Sequence, residues 1–305
     1  MKSKNSILIV GGTGFIGYHL AKKSLKKGWK VTSISSKLPR KIRYLKKVEY
    51  IICDIVKKKS LKRNIQRTFD YVVNLGGYVD HSNSKKTFES HYFGCKNLTE
   101  IFLKKIPKAF VQMGSSVEYG NLKSPQKENF KFNPRQTKSI YGKAKLLSSR
   151  HLIDLFKKRK FPSTILRLYL AYGPKQNANR LIPIVIKGCI KNKKFPCSNG
   201  HQLRDFVHVD DVVEAIMKTL KNKAARGKII NIGSGKPIKI KNIIQKIKKI
   251  SKGGQPQFGK IKLRKDEILK IYPNIKKAKN IINWKPKISF DKGLKSTIKF
   301  YNEKK

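Results

Sequence analysis

The 305-residue chain predicts an α/β fold whose core is a doubly wound parallel sheet. Three observations support this prediction: short apolar runs recur along the chain, helical patterns separate several of them, and a glycine-rich turn follows the first run. Strands that alternate with helices build a parallel sheet with both faces covered. The length suits one large α/β domain, alone or with a smaller partner.

Seven apolar runs supply the predicted strands, because each is short and bounded by turn residues or a helical pattern. These strands span residues 6–10, 29–34, 48–53, 71–75, 109–113, 163–169 and 229–232. Apolar residues at helical spacing predict helices over 18–27, 96–104 and 144–157. The segments that break the alternation are a polar loop at 121–139, a helix and loop at 181–197, and helices with a proline-containing tail from about 236 onward.

The glycine-rich turn predicts a dinucleotide site. Gly11, Gly14 and Gly17 give GxxGxxG spacing between the first strand and the first helix. A pyrophosphate must approach the backbone there, so the turn needs residues without a Cβ, and the helix that Phe15 and Ile16 open supplies partial positive charge. We therefore predict a Rossmann-type cofactor domain; the alternative is a purely structural glycine turn.

The end of the second strand bears on the choice of cofactor. An acidic residue there would accept hydrogen bonds from the adenosine ribose, but the chain carries Ser35, Ser36 and Lys37, with Arg40 close behind. Hydroxyls and cations suit a 2′-phosphate, so NADP(H) is favoured. NAD(H) stays open, because these cations are also ordinary surface charge in a very basic protein.

Two further strand ends are assigned to the cofactor site. Asp54, with Ile55 beside it, follows the third strand and is placed to accept a hydrogen bond from the adenine amine. Leu75, Gly76 and Gly77 follow the fourth strand, where small residues let the cofactor ribose lie against the backbone.

The predicted domains follow from these assignments. Residues 1–175, joined again by 205–235, form the Rossmann-type cofactor domain. Residues 176–204 and 236–305 form a smaller C-terminal substrate-binding domain that faces it.

Tyr141 and Lys145 indicate acid–base chemistry, because residues four apart share a helix face. An ammonium beside the phenol would lower the pKa of Tyr141 and make it usable near neutral pH. Tyr-x-x-x-Lys is common by chance and also fits an ordinary amphipathic helix. Ser115, at the end of the fifth strand, adds weight because its hydroxyl can bond the same substrate oxygen as Tyr141.

The charge is strongly basic, with 72 Lys and Arg against 17 Asp and Glu and a formal net charge of +55. Such a charge attracts anions and raises nucleic-acid binding as a hypothesis. Only 12 of the basic residues are Arg, which reads phosphates and bases better than Lys, and the lysines are scattered. We therefore interpret the charge mainly as a solvated surface and regard specific nucleic-acid binding as a remote alternative.

The sequence indicates neither export nor membrane insertion. No apolar run approaches the roughly 20 residues of a membrane helix, and the run at 7–10 is too short for a signal-peptide core. Cys53, Cys95, Cys189 and Cys197 form no CxxC pair and have no His cluster nearby at metal-ligand spacing. We predict a cytoplasmic protein with four free thiols and no metal site.

Together these residues resemble the extended short-chain dehydrogenase/reductase superfamily, in its NAD(P)-dependent epimerase/dehydratase branch of sugar-nucleotide enzymes. The resemblance covers nearly the whole chain, with several motifs in the family's order. Further matching segments lie at 166–174, 204–212, 231–235, 264–267 and 283–286. The resemblance implies a nucleotide-sugar substrate and a homodimer.

The resemblance also implies roles for the catalytic residues. Tyr141 would be the acid–base residue, Lys145 would bind the nicotinamide ribose and tune Tyr141, and Ser115 would hold the substrate oxygen.

Substrate contacts are implied in the same way. The diphosphate and nucleoside would meet Arg204 and Arg264, with Ser116 and Arg180 as further contacts. The alternative for each Arg is a surface ion pair.

Departures from the family pattern narrow the set of reactions that the chain could catalyse. Ser116 and Val117 stand where the dehydratases carry an Asp-Glu pair, so elimination lacks its acid and base. Leu170 and His91 replace asparagines found in many members, which leaves the detailed substrate contacts open. The run at 114–120 looks most like the reductases of 4-keto-6-deoxy sugar nucleotides.

We therefore predict a reductase in which NADPH delivers hydride to a keto carbon of a 4-keto-6-deoxy nucleotide sugar and Tyr141 protonates the oxyanion. The close alternative is a C4 epimerase with a tightly held NAD. Nucleic-acid binding on the same fold is the alternative from another class, and the intact catalytic trio argues against it.

Overall fold

The computed structural model describes residues 4–78, 83–129, 133, 135, 137–263 and 267–303. Its strands are β1 (Ser6–Val10), β2 (Lys30–Ser35), β3 (Val48–Ile52), β4 (Tyr71–Asn74), β5 (Ala109–Ser115), β6 (Ser163–Leu168), β7 (Leu170–Tyr172), β8 (Lys194–Pro196), β9 (Leu203–Arg204), β10 (Phe206–His208), β11 (Ile229–Ile232), β12 (Ile238–Lys239), β13 (Gln255–Gln257) and β14 (Lys270–Ile271). Its helices are α1 (Phe15–Lys26), α2 (Lys58–Asn64), α3 (Ser84–Phe88), α4 (Gly94–Phe102), α5 (Ile140–Arg159), α6 (Leu181–Ile190), α7 (Val209–Lys221), α8 (Ile240–Ser251), α9 (Lys276–Ile282) and α10 (Phe290–Asn302).

A seven-stranded sheet lies at the centre of the molecule, in the order β3-β2-β1-β4-β5-β6-β11. Every neighbouring pair is parallel. All seven predicted strands belong to this sheet, so the predicted α/β class with a doubly wound parallel sheet is confirmed. Because the strands are parallel, their carboxyl ends meet along one edge, which is where ligands bind in such sheets.

Several element ends differ from the predicted ones. Strand β5 runs on to Ser115, so the serine is itself the last residue of the strand. Helix α5 begins at Ile140, earlier than predicted, because the Ser139 side chain caps it by accepting from the Gly142 N–H. Helix α7 was not predicted, although its apolar residues follow helical spacing and two aspartates occupy its first turn.

The sheet is covered on both faces, as predicted. On one face, buried residues of α1 and α7 pack against the strands, together with Trp284. On the other face, residues of α2, α4 and α5 do so, among them Leu98 and Phe102. Each fully buried large apolar side chain contributes about 1.5–3 kcal/mol, so these two layers hold the edge of the sheet in place.

A third apolar cluster lies outside the sheet. It joins residues of α6, α8 and α10, including Ile186, Ile247 and Leu294. Most of the cluster lies in the segments assigned to the substrate-binding domain, and Tyr172 and Phe206 of the cofactor domain join it. The domain boundaries stay a prediction.

The described residues bear on the predictions about thiols, metal sites and membrane helices. The four cysteines are buried and free. Within the described ranges, no group of three or more His, Cys, Asp or Glu could hold a metal ion. In the same ranges, no helix combines the length and hydrophobicity needed to cross a bilayer.

Candidate active site

The glycine turn after β1 forms a cradle at the carboxyl edge of the sheet. Gly11 has a φ of +77°, which L side chains rarely adopt. A Cβ on Gly17 would lie 2.4 Å from the carbonyl oxygen of Gly11. Gly14 precedes α1 without a side-chain cap, and no acidic residue occupies the first turn that begins with Phe15 and Ile16. Uncapped N–H groups at a helix N-terminus favour an anion, so this cradle fits a dinucleotide pyrophosphate.

The residues at and after the end of β2 lie in different surroundings. The Ser35 hydroxyl accepts a hydrogen bond from the Thr13 N–H at 3.4 Å and so braces the glycine turn. Ser36 and Lys37 are exposed beside it. Arg40 lines a separate cavity together with residues of α6 and α10. Contact between these residues and a cofactor stays a prediction.

The ends of β3 and β4 carry the other residues predicted to bind the cofactor. The Asp54 carboxylate accepts from the Val56 N–H at 3.0 Å and is exposed. Ile55 is buried. After β4, the backbone of Leu75–Gly76–Gly77 turns at the same edge, and the Gly76 N–H donates to the Asn74 side chain at 3.0 Å.

Ser115 is held by the turn that follows β5. Residues Ser116–Tyr119 form a single 3₁₀ turn, and Ser115 caps it. The Ser115 hydroxyl accepts from the Val117 N–H at 3.5 Å, while the Ser115 N–H donates to Glu118 Oε1 at 2.8 Å. This reciprocal capping box fixes the serine backbone at the mouth of the cleft.

Tyr141 and Lys145 lie in the first turns of α5, beside the end of β5. Lys145 is 4% exposed, and its Nζ donates to the Met113 carbonyl oxygen at 2.7 Å. The same Nζ lies 5.9 Å from the centroid of the Tyr141 ring. The structure therefore brings the three predicted catalytic residues, Ser115, Tyr141 and Lys145, to one place.

The pKa of Tyr141 shifts in the direction opposite to the predicted one. Burial raises it above its usual value; a hydrogen bond from Ser115 lowers it, Glu118 raises it and Arg180 lowers it, and burial outweighs the rest. The expectation of a lowered pKa was wrong, because burial outweighs the groups around the phenol. A raised pKa keeps the phenol protonated at neutral pH and makes Tyr141 a proton donor.

Lys145 is itself strongly affected by burial. Burial lowers its pKa to about 8, against the opposing effects of Glu118 and Cys95. The ammonium form therefore predominates at pH 7, although this pH lies only about one unit below the pKa.

His91 packs against Tyr141. Its ring meets the Tyr141 ring edge-on at 4.9 Å between centroids. His91 Nε2 lies 3.2 Å from the Tyr78 carbonyl oxygen, and the Ser148 hydroxyl donates to the His91 carbonyl. The histidine is 5% exposed, so it is part of the packing beside the Tyr141 phenol.

A buried ion pair beneath Ser115 was missed by sequence reasoning. Glu118 and Arg167 are both 0% exposed, and Arg167 Nε donates to Glu118 Oε2 at 2.8 Å. The Ser149 hydroxyl donates to the same carboxylate oxygen at 2.7 Å. A signal was present, since Arg167 interrupts an apolar strand of a buried parallel sheet and a charge there needs a partner.

A cavity of about 320 Å³ lies next to the three predicted catalytic residues. Its lining includes Ser116, Val117, Tyr169, Leu170, Arg204 and Glu267. Arg204 forms a close ion pair with Glu267, and the two side chains are 13% and 16% exposed. The predicted substrate residues Ser116 and Arg204 thus line one cleft.

The other two predicted substrate residues lie differently. Arg180 is exposed at the N-terminus of α6, and its charge lowers the pKa of Tyr141, so it faces the same site. Arg264 lies outside the described residues.

Asp205 and Asp211 of the 204–212 segment accept hydrogen bonds from later segments of the chain. Asp205 accepts from the Ser234 N–H at 2.6 Å and hydroxyl at 2.8 Å. Asp211 accepts from the backbone N–H groups of Lys287 and Ile288, each at 3.0 Å. Asp211 thus binds the segment before α10, and Asp205 binds the turn after β11 while it also lines the cavity beside Ser116.

Comparison with known proteins adds a family match. The family model described as NAD dependent epimerase/dehydratase family matches residues 7–233. The CDP-abequose synthase of Salmonella muenchen is 26% identical over 300 residues, which cover 96% of each chain. The putative UDP-glucose 4-epimerase of Methanocaldococcus jannaschii is 28% identical over 305 residues, which cover 96% of this chain and 97% of that one.

Solved structures share the whole architecture. The UDP-glucuronic acid 4-epimerase of Bacillus cereus, in complex with UDP-glucuronic acid and NAD, superimposes with a TM-score of 0.87 at 24% identity. The match covers 98% of this chain and 100% of the other. At that identity the likeness establishes the fold.

Proposed function

Because this chain belongs to the NAD-dependent epimerase/dehydratase family, we propose that it is a nucleotide-sugar enzyme that reduces the keto group of a 4-keto-6-deoxy sugar nucleotide with NADPH. The observation that carries the proposal is the meeting of three groups at one point: the Ser115 hydroxyl, a phenol kept protonated by burial at Tyr141, and the Lys145 ammonium. Ser116 and Val117 supply no acid–base pair, so elimination of water is not the favoured reaction.

The chain's own residues account for the proton. Ser115 and Tyr141 donate hydrogen bonds to the keto oxygen, and the positive charge of Lys145 stabilises the negative charge that develops there. A dinucleotide held by its pyrophosphate in the glycine cradle would supply the hydride. Tyr141 then gives its proton to the oxyanion, which turns the carbonyl into an alcohol.

The lining of the cleft supports the substrate class. The Arg204 guanidinium suits a diphosphate, and Arg180 is a second cation near the same site. Leu170 and Val117 are 44% and 38% exposed in the cleft wall, although both are apolar. Such a wall fits the methyl group of a 6-deoxy sugar better than a hydroxymethyl or carboxylate group.

Exposed Ser36 and Lys37 at the end of β2, with no carboxylate there, support NADPH over NADH. A C4 epimerase is the second candidate, because a curated relative of nearly full coverage carries that name. In that reaction Tyr141 would remove the proton of a sugar hydroxyl, and the nicotinamide would be recycled rather than exchanged.

One experiment separates the candidates. The protein is purified without added cofactor and denatured, and any released dinucleotide is identified by mass. An empty protein that binds NADPH more tightly than NADH and oxidises NADPH with a 4-keto-6-deoxy nucleotide sugar supports the reductase. Stoichiometric NAD would favour the epimerase, and no binding of either dinucleotide would overturn both, leaving salt-sensitive RNA binding as the next test.

A further inference from the structure

A second cavity, apart from the active site, is lined by cations. It measures about 580 Å³ and lies between the loop after β2, the loop after β7, the C-terminal part of α6 and the end of α10. None of its lining residues lines the substrate cleft. A volume of this size is typical of small-molecule sites.

Five cations line this cavity: Arg40, Arg43, Lys175, Lys187 and Lys191. No carboxylate is among its lining residues, and in the part of the chain that the structure describes none of the five forms an ion pair with an acid. Arg40, Lys187 and Lys191 are exposed, like most cations of this basic protein, whereas Arg43 is buried and Lys175 is half-buried.

Arg43 is the least solvated of the five. It is 7% exposed, yet its guanidinium donates only to neutral oxygens: the Lys175 carbonyl at 2.5 and 3.1 Å and the Asn177 side chain at 2.6 Å. Burial and the nearby Arg40 both lower its pKa. A buried positive charge with no counter-charge is costly, and an anion in the cavity would offset that cost.

Lys175 repeats the pattern. Lys175 Nζ donates to the Tyr18 hydroxyl at 2.7 Å and the Ile42 carbonyl at 2.6 Å, again neutral groups. Lys187 and Lys191 stand four residues apart at the end of α6, where like charges repel. Ile190 and Phe300 give the cavity an apolar part of its lining.

We propose that this cavity is a binding site for a phosphorylated small molecule, separate from the cofactor and substrate sites. The phosphate groups are bound by Arg40, Lys187 and Lys191 above the buried charge of Arg43, and the body of the ligand lies against the apolar part of the lining. Several cations around one enclosed space suit a di- or triphosphate rather than a single carboxylate.

Inorganic pyrophosphate is the probe that tests the site, by isothermal titration calorimetry with the full chain. We expect one saturable event per chain whose affinity falls steeply with salt. The variant K187Q/K191Q, both positions exposed, should weaken binding by about tenfold or more. The control K248Q/K249Q removes the same charge from the exposed side of α8 and should change the affinity less than about twofold.

Further titrations distinguish the proposed site from the cofactor site and from the substrate cleft. Titration is repeated with the enzyme saturated with NAD and with NADPH, and the variant R204M removes a cation of the substrate cleft. Retained binding in all three supports the separate site. The proposal is overturned if no saturable binding occurs, if the control loses as much affinity as K187Q/K191Q, if R204M abolishes binding, or if either NAD or NADPH blocks binding. Because the readout needs no turnover, these outcomes are independent of the proposed reductase activity.

Discussion

Arg167 Nε and Glu118 Oε2 lie 2.8 Å apart beneath Ser115, and neither side chain is exposed to solvent. The same carboxylate holds the Ser115 N–H through its other oxygen. The Arg167 guanidinium also lies 4.5 Å from the centroid of the Tyr119 ring, whose hydroxyl donates to Asn231 on β11. The ion pair thus connects the active-site turn to β6 and β11, three elements far apart in sequence.

Glu118→Gln should destabilise the protein by about 3–5 kcal/mol, because it leaves Arg167 as a buried cation without its counter-charge. Urea unfolding followed by circular dichroism measures the loss. The double variant E118Q/R167M should regain part of it. Asp154→Asn, which breaks the exposed pair with Arg150, is the control and should cost less than about 1 kcal/mol. An E118Q protein as stable as this control would contradict the central role of the pair.

Tyr141→Phe should lower kcat by about 10²–10⁴-fold while the fold is kept, since it removes the proton donor alone. Ser115→Ala should lower kcat by about 10²–10³-fold, because one hydrogen-bond donor to the developing oxyanion is lost. NADPH oxidation with a 4-keto-6-deoxy nucleotide sugar measures both effects. Tyr44→Phe, at a tyrosine that is 56% exposed, should leave the rate unchanged. If Y141F retained full activity, Tyr141 would not be the acid.

Lys145 should make activity fall as the pH rises through about 8. Its pKa is lowered to about 8 by burial, so the stabilising ammonium is lost above that value. Lys145→Arg stays charged, and its residual activity should lack this descending limb in a pH–rate profile. The same shift predicts that stability rises with pH from about 8 toward 10.5, since the unfolded chain binds more protons there. The free energy of unfolding of the wild type is compared with that of Lys145→Met over this pH range. If the wild-type value fell relative to that of the variant, the result would argue against a lowered pKa of Lys145.

Arg204→Met should raise the KM for the nucleotide sugar by about tenfold or more with a smaller change in kcat, because it removes a diphosphate contact away from the reacting carbon. Glu267→Gln should lower KM, since Glu267 competes with the diphosphate for Arg204. Steady-state kinetics at fixed NADPH measures both. A KM that rose equally in both variants would mean that the ion pair shapes the cleft and that Arg204 does not bind substrate.

Lys37→Glu should shift the preference from NADPH toward NADH by about tenfold, because a carboxylate near the end of β2 repels a 2′-phosphate. Dissociation constants for the two dinucleotides, measured by fluorescence, give the ratio. Lys47→Glu places the same charge change at another exposed lysine and should leave the ratio unaltered. Equal ratios in the two variants would remove the basis for the NADPH assignment.

The sequence alone determined the layout of the cofactor half of the molecule. Apolar runs of strand length and the glycine turn are local patterns, because the periodicity of a buried strand and the need for Gly11 and Gly17 at a tight turn depend on near neighbours. Ser115, Tyr141 and Lys145 were also predicted from short motifs, and the structure brings them together because β5 and α5 are consecutive elements packed side by side.

Only the tertiary structure decided the electrostatics. The pKa of Tyr141 rises because burial by residues distant in sequence outweighs nearby charges, and no spacing rule contains that balance. The pairing of Glu118 with Arg167, the engagement of Arg204 by Glu267 and the gathering of cations around Arg43 join segments 49 to more than 100 residues apart. Whether a charge is paired, exposed or buried without a counter-charge depends on which distant surfaces meet, and that is fixed only when the chain has folded.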